Sequence, residues 1–307
     1  MDELLTVEGL SRSYGEHRAL AGLDLRLRQG EVLGLLGPNG AGKTTCLQIL
    51  SGNLAPSSGE IRVLGLDLLH APLRTKRHIG YLPERPPLYL DMRVDEYLDY
   101  CARLHRIPRI ARADALERAI ARCGLADVTR RTLGRLSKGY RQRVGIAQAI
   151  VHEPELVILD EPTDGLDPVQ IREVRNLIRE LATDCGVILS SHILPEVQAV
   201  CSKVLILKNG RVLHQTSLLQ EDNSSLPNRY RLRLDKPPTI DSITGLPGVA
   251  DALLLATDSF RVMLDPGESA ATLATRVVEQ GWGLIELATD RTDLERVFFD
   301  MIGGETA

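Results

Sequence analysis

Aromatic residues are scarce in this chain of 307 residues: they make up 4%, with one Trp and three Phe. Rings this few and scattered offer no base-stacking platform for single-stranded nucleic acid. A basic excess is missing too, since 41 Asp and Glu outnumber 37 Lys and Arg for a formal net charge of −4. The electrostatic footprint of a nucleic-acid binder is absent at the level of the whole chain, and no nucleic-acid partner is expected. Long apolar runs are also lacking. Stretches such as Leu156 to Leu159 and Ala252 to Ala256 fall far short of the ~18 to 20 residues that cross a bilayer. The amino-terminal MDELLTVEGL carries acids where a secretory signal carries Lys or Arg, and no apolar core follows, so export of the chain is not expected. Five cysteines (Cys46, Cys101, Cys123, Cys185, Cys201) are odd in number and form no C-x-x-C pair. They read as reduced packing thiols rather than disulfides or metal ligands.

What is present suits a soluble chain of two ordinary domains, or one large one. Strand-like apolar runs alternate with helical patterns, as expected of an α/β protein with a largely parallel sheet. Val32 to Leu36, Leu156 to Asp160 and Val187 to Ser190 read as buried strands, and residues from about Asp91 to His152 read as helical, with apolar spacing such as Leu116, Ile120 and Cys123. The segment EDNSSLPN after Gln220 collects turn formers and marks a linker. Beyond it, Tyr230, Leu232 and Leu234 alternate as in a half-buried strand, and Ala252 to Leu264 suggests a hairpin turning at Thr257-Asp258. A helix over Ala270 to Gln280, a strand at Leu284 to Ala288 and a helix over Thr292 to Met301 complete a small α+β unit.

Gly37-Pro38-Asn39-Gly40-Ala41-Gly42-Lys43-Thr44 satisfies G-x-x-x-x-G-K-[ST] between a strand and the helix Thr45 to Leu50. The glycines let successive N–H groups turn inward around phosphate, and the helix start adds its dipole. Lys43 supplies charge for the β- and γ-phosphates, and the Thr44 hydroxyl can ligate Mg²⁺. The loop alone does not separate a kinase, a GTPase and an ATPase. Asp160 ends the strand Leu156 to Leu159, where open α/β sheets bind ligands, and can hold the metal through a water. Glu161 beside it can orient or deprotonate the water that attacks the γ-phosphate. His192, after the strand Val187 to Ser190, is placed to contact the same phosphate.

Leu136-Ser137-Lys138-Gly139-Tyr140-Arg141-Gln142-Arg143 then resembles the signature motif of ATP-binding-cassette (ABC) ATPases, a resemblance that covers nearly all of residues 1 to 220. It implies a P-loop NTPase core with a helical subdomain at about 91–152, followed by a small α+β accessory domain over 228–307. Asp164-Gly165-Leu166-Asp167-Pro168 looks like the D-loop, His192 like the switch histidine, and Tyr14 like the residue that stacks on adenine. Ile79-Gly80-Tyr81-Leu82-Pro83-Glu84 resembles the Q-loop segment, with Glu84 in place of the family's Gln: either a third candidate metal ligand beside Thr44 and Asp160, or only a hinge. The resemblance implies an ATP-dependent head-to-tail dimer, homomeric or with a related cassette, in which Ser137, Lys138, Gly139 and Tyr140 face the partner's nucleotide. Ser137 and Gly139 are expected at the start of a helix over Arg141 to Ile150. Lys138 and Tyr140 stand where the usual signature has Gly and Gln.

One P-loop, no membrane helices and no sustained heptads resemble the ATPase subunit of a multi-subunit transporter, bound peripherally at the cytoplasmic face of the membrane. Gly80 to Leu90 together with Asp293 to Phe298 are similar to ABC-2-type bacterial exporters, the gliding-motility-associated and multidrug-type ATPases among them. Transmembrane permease subunits are the implied partners, met through Arg85 to Tyr89 and nearby helix residues; a machine ATPase for surface motility or a soluble regulatory complex is the alternative. From Arg103 to Arg143 twelve Lys and Arg face three acids (Asp114, Glu117, Asp127), so the rest of the chain carries the acidic excess. That region is either a solvated helical face or a surface for an anionic partner.

Overall fold

β1 (Glu3–Tyr14) and β2 (His17–Arg28) open the chain as a long antiparallel pair turning at Gly15, whose φ of +58° suits glycine. In β2, Leu23, Leu25 and Leu27 point inward and the residues between them outward. β3 (Val32–Leu36) is buried along its whole length and leads through the phosphate loop into α1 (Lys43–Leu50). β4 (Ser58–Val63) and β5 (Leu66–Asp67) return to the first pair, giving an antiparallel sheet of order β2-β1-β4-β5. A short α2 (Pro72–Thr75) precedes β6 (Ile79–Leu82). The computed structural model describes residues 3–218 and 229–289, so the expected linker EDNSSLPN, the helix over Thr292 to Met301 and the segment Asp293 to Phe298 lie outside the described residues.

The helical stretch resolves into α3 (Val94–Leu104), α4 (Arg109–Arg122) and α5 (Lys138–Ile150), with two single 3₁₀ turns before α5. α5 starts three residues earlier than its sequence pattern suggests, because the Ser137 hydroxyl caps it by accepting from the Tyr140 N–H at 3.3 Å. Part of the basic excess of this region is internally paired. Arg103 meets Asp99, Arg118 meets Glu153, Arg122 meets Glu180 and Asp184, and Arg143 meets Glu173.

β7 (Leu156–Leu159), α6 (Pro168–Leu181), β8 (Gly186–Ser191), α7 (Leu194–Val200), β9 (Lys203–Lys208) and β10 (Arg211–Ser217) complete the first compact unit, Met1–Leu218. Its central sheet runs β10-β9-β3-β8-β7-β6, parallel except for the edge strand β10. Continuous apolar runs suit β3, β7 and β8, since a parallel strand covered on both faces has no side to leave polar. One core cluster joins the two sheets: Leu5, Leu20, Leu23 and Leu25 pack with Cys46, Leu47 and Leu50 of α1 and with Leu35, Ile158 and Leu205. The open end of the parallel strands, where β3, β7 and β8 stop, is where chemistry-bearing loops emerge.

The second unit, Leu219–Thr306, contains β11 (Arg229–Leu234), α8 (Ile240–Thr244), β12 (Val249–Ala256), β13 (Ser259–Leu264), α9 (Ala270–Glu279) and β14 (Leu284–Thr289). Its antiparallel sheet has the order β12-β13-β11-β14, a βαββαβ arrangement of the ferredoxin-like kind. Leu232, Leu234, Phe260, Val262, Leu273 and Val277 form its core.

Candidate nucleotide site

The loop between β3 and α1 is shaped by glycines. Gly42 caps α1 at φ +103°, and a Cβ there would stand 2.6 Å from the Ala19 carbonyl oxygen, so both the backbone and the space demand glycine. Around this loop lies a cavity of about 470 Å³ lined by Tyr14, His17, Ala19, Asn39 to Thr45, Glu84, Glu161, Asp164 and His192. Most of the residues expected at one nucleotide site thus converge. Gly37 and Pro38 serve differently, as their carbonyls accept hydrogen bonds from Lys43 Nζ at 2.8 and 3.3 Å. The turn between β1 and β2 brings Tyr14 to the rim, half exposed, with the Arg12 guanidinium 4.6 Å above its ring.

Asp160 follows β7 and is wholly buried. Its Oδ1 accepts from the Ser190 hydroxyl at 2.6 Å and the Thr44 hydroxyl at 3.4 Å, while Oδ2 is buried with no protein partner. Burial raises the carboxyl above its usual range and the charges of Glu161 and Glu84 add to this, against the two hydroxyl bonds. An unpartnered charged acceptor in the interior costs upwards of ~1–3 kcal/mol, and a cation offsets that cost directly. The unpartnered Oδ2, on a carboxylate whose other oxygen meets the Thr44 hydroxyl, with Thr44 and Glu84 both lining the cavity, fits a hard divalent ion such as Mg²⁺.

Glu161 adopts φ +46°, a left-handed conformation that costs a non-glycine residue on the order of 1–3 kcal/mol. The Ser190 hydroxyl holds it there by accepting from the Glu161 N–H at 2.8 Å. With its backbone turned, the side chain enters the cavity: Oε1 lies 3.4 Å from Lys43 Nζ and Oε2 lies 3.1 Å from His192 Nδ1. Lys43 is 6% and Glu161 12% exposed, whereas His192 is 42% exposed.

None of the signature residues lines this cavity, though Lys138 reaches one that does. Ser137 caps α5, and Lys138 Nζ reaches Asp164 Oδ2 at 3.4 Å, across Gly165. Gly139 abuts the Gln170 side chain so closely that a Cβ would fall 2.4 Å from it. The Tyr140 hydroxyl donates to Asp127 Oδ2 at 2.8 Å, with Arg143 4.3 Å over its ring. Asp167 caps α6 by accepting from the Val169 and Gln170 N–H groups, and Leu166 N–H donates to the Thr163 carbonyl. The sequence reading missed Ser190, which ties Asp160 and Glu161 to β8, as well as His17, Ala19 and the placement of Asp164 at the cavity. For Ser190 the signal was present, a hydroxyl at the end of a strand beside an acidic one.

The ABC transporter family model matches residues 20–164. The bacitracin transport ATP-binding protein BcrA of Bacillus licheniformis is 32% identical over 100% of this chain and 99% of its own length. The daunorubicin resistance ATP-binding protein DrrA3 of Streptomyces coeruleorubidus is 33% identical over 99% and 97%. Among solved structures, the ATP-binding subunit of an ABC transporter superposes with a TM-score of 0.64 at 32% identity, covering 70% of this chain and 90% of that one. CbiO1 of Clostridium perfringens, part of the ABC transporter complex cbiONQ, gives 0.65 at 31% over 71% and 90%. With a phosphate loop, carboxylate and histidine gathered on one cavity, and relatives matched from end to end, this chain belongs to the ABC transporter ATP-binding proteins.

Proposed function

We propose that the chain hydrolyses MgATP as the peripheral subunit of an ABC-2-type bacterial export system, at the cytoplasmic face of the membrane, and drives rearrangement of separate transmembrane subunits. The carrying observation is the convergence of Lys43, Glu161 and His192 on the cavity that the phosphate loop encloses. End-to-end similarity to proteins named for bacitracin transport and daunorubicin resistance supports the export direction. No described helix is long and apolar enough to cross a membrane, so transport requires partners that do.

In this reading Lys43 and the N–H groups of Asn39 to Thr45 bind the phosphates, and Tyr14 offers its ring to adenine. Thr44 and Asp160, with Glu84 nearby, would hold Mg²⁺, which would supply positive charge against the charge that develops on the phosphates. Glu161 accepts a proton from the attacking water, and His192 steadies both the Glu161 carboxylate and the γ-phosphate. Ser137 and the Gly139 N–H, at the start of α5 and away from this cavity, face the γ-phosphate of a second cassette in a head-to-tail dimer. Lys138, Tyr140, Gly165, Leu166 and Asp167 lie at that interface. The exposed side chains of Tyr89, Leu90, Tyr100 and Leu104, with the Tyr89 and Tyr100 rings 5.5 Å apart, provide the apolar contact for a permease. Affinity purification of the chain from detergent-solubilised membranes tests this. A co-purifying protein with several hydrophobic spans is expected; an exclusively soluble partner overturns the transport role.

A further inference from the structure

Glu196 is a buried carboxylate that none of these steps uses. It lies in the first turn of α7, 7% exposed, and its Oε2 accepts hydrogen bonds from the Thr163 hydroxyl and, at 3.5 Å, the Ser191 hydroxyl. Thr163 sits on the loop after β7, and Ser191 is the last residue of β8, where it pairs with Leu36 of β3. Thr163 comes two residues after Glu161 and directly before Asp164, which lines the cavity; Ser191 directly precedes His192. The Ser191 oxygen also accepts from the Ile193 N–H at 3.0 Å, closing a turn around His192. Strands β7 and β8 pair only as far as Leu159 and Leu189, and one residue further the Ser190 hydroxyl joins them to Asp160 and Glu161. Beyond Ser190, the Glu196 clip and the His192–Glu161 contact tie the two diverging chains. A carboxylate suits that place, since one acceptor oxygen with free lone pairs can take both hydroxyls and neither segment need supply an acceptor.

We infer that Glu196 is a positioning residue for hydrolysis, a clip that joins the Thr163 loop to the end of β8 at Ser191 and so sets His192 and Asp164 against Glu161. The inference rests on the roles of Glu161 and His192 given above. Steady-state ATPase assays of the full chain test it. Glu196→Ala is expected to lower kcat at least about tenfold with KM for ATP within about twofold of the parent, because binding contacts remain and only the hydrolytic geometry loosens. Glu196→Gln, whose amide oxygen still accepts both hydroxyls, is expected to recover most of kcat. Thr163→Val should match Glu196→Ala, Thr163→Ser should retain activity, and the Ala/Val double variant should be no slower than the slower single one. Full kcat in Glu196→Ala, a Gln variant as slow as Ala, or additive losses in the double variant overturn the clip. If Glu196→Ala fails to fold, the Thr163→Val and Thr163→Ser pair decides instead, equal rates in the two overturning the inference. Glu161→Gln assayed alongside separates the two levels: full turnover in it overturns the site assignment, whereas its inactivity beside an active Glu196→Ala overturns only the clip.

Discussion

Lys43 and Glu161 face one another at 3.4 Å inside the cavity, neither more than 12% exposed. The phosphate-binding cation and the base of the proposed reaction therefore neutralise each other, with His192 on the far carboxylate oxygen. In the proposed reaction, phosphate would compete for Lys43 and its arrival would free Glu161 to act on water, linking binding and activation of the base through a single ammonium group.

Glu161→Gln keeps the shape and the His192 contact but removes the base. Turnover should fall by about 100-fold or more, within the range general-base removal commonly gives, while ATP binding persists. An ATP-dependent dimer should then accumulate in size-exclusion chromatography. A variant that hydrolyses ATP at the parent rate would show that another group takes the proton.

Glu84→Gln probes the third carboxylate of the cavity. Its charge helps raise the Asp160 carboxyl, so the two sense one another, and in the proposed site they would together draw a divalent ion. The variant should need several-fold more Mg²⁺ for half-maximal activity, read by titrating Mg²⁺ at fixed ATP. An unchanged Mg²⁺ dependence would leave Glu84 as a hinge alone.

Gly139→Ala places a methyl against the Gln170 carboxamide, a flexible end that can yield, so the melting temperature should stay within a few degrees of the parent. Activity should nonetheless fall by about tenfold or more if the Gly139 N–H stabilises the γ-phosphate of a second cassette, since one lost oxyanion-type donor carries that scale of effect. Mixing it with Glu161→Gln reports on both sites of the dimer: where a dimer pairs one chain of each kind, one of its two sites contains both substitutions and the other neither, and activity is partly restored. No recovery on mixing would count against composite sites.

His152 stacks on His105 with ring centroids 3.7 Å apart and bonds the Ile79 carbonyl through Nε2 at 3.2 Å. Burial, helped by His105 and His78, lowers its pKa from 6.5 to about 3. The folded value lies below the unfolded one, so the unfolded chain takes the proton first. This contribution to stability is complete above about 6.5 and is lost as pH falls from there toward 3. His152→Gln should flatten the decline of the thermal midpoint between neutral and acid pH. Equal slopes for parent and variant would place the acid sensitivity elsewhere.

The placement of the candidate residues was legible where residue type and strand context coincided. Gly37 to Thr44, Asp160, Glu161 and His192 sit at the ends of strands whose unbroken apolar runs announce them, and the structure gathers them at one place. The first antiparallel sheet was not legible in the same way. β1 changes register against its neighbours at Leu5, Leu10 and Ser11, and each irregularity shifts the alternation that marks a strand. Nor does any local pattern betray the left-handed turn at Glu161, which depends on Ser190 from another strand. The pairing of Lys138 with Asp164 and the Glu196 clip are likewise products of tertiary proximity, joining residues 26 and 33 positions apart.

The five cysteines are all buried, and burial pushes their thiols up: Cys101 and Cys185 to about 11, Cys46 and Cys123 to about 12, and Cys201 higher still. The thiolate is the reactive form, so the folded chain presents almost none at neutral pH. A maleimide added to the native protein therefore counts molecules that have opened. With Cys46 behind the phosphate loop, Cys101 in α3 and Cys185 before β8, the modified positions identify which layer opened first. The natural sequence already supplies a chemically silent background, on which a single surface thiol can carry a fluorophore and time the meeting of two cassettes.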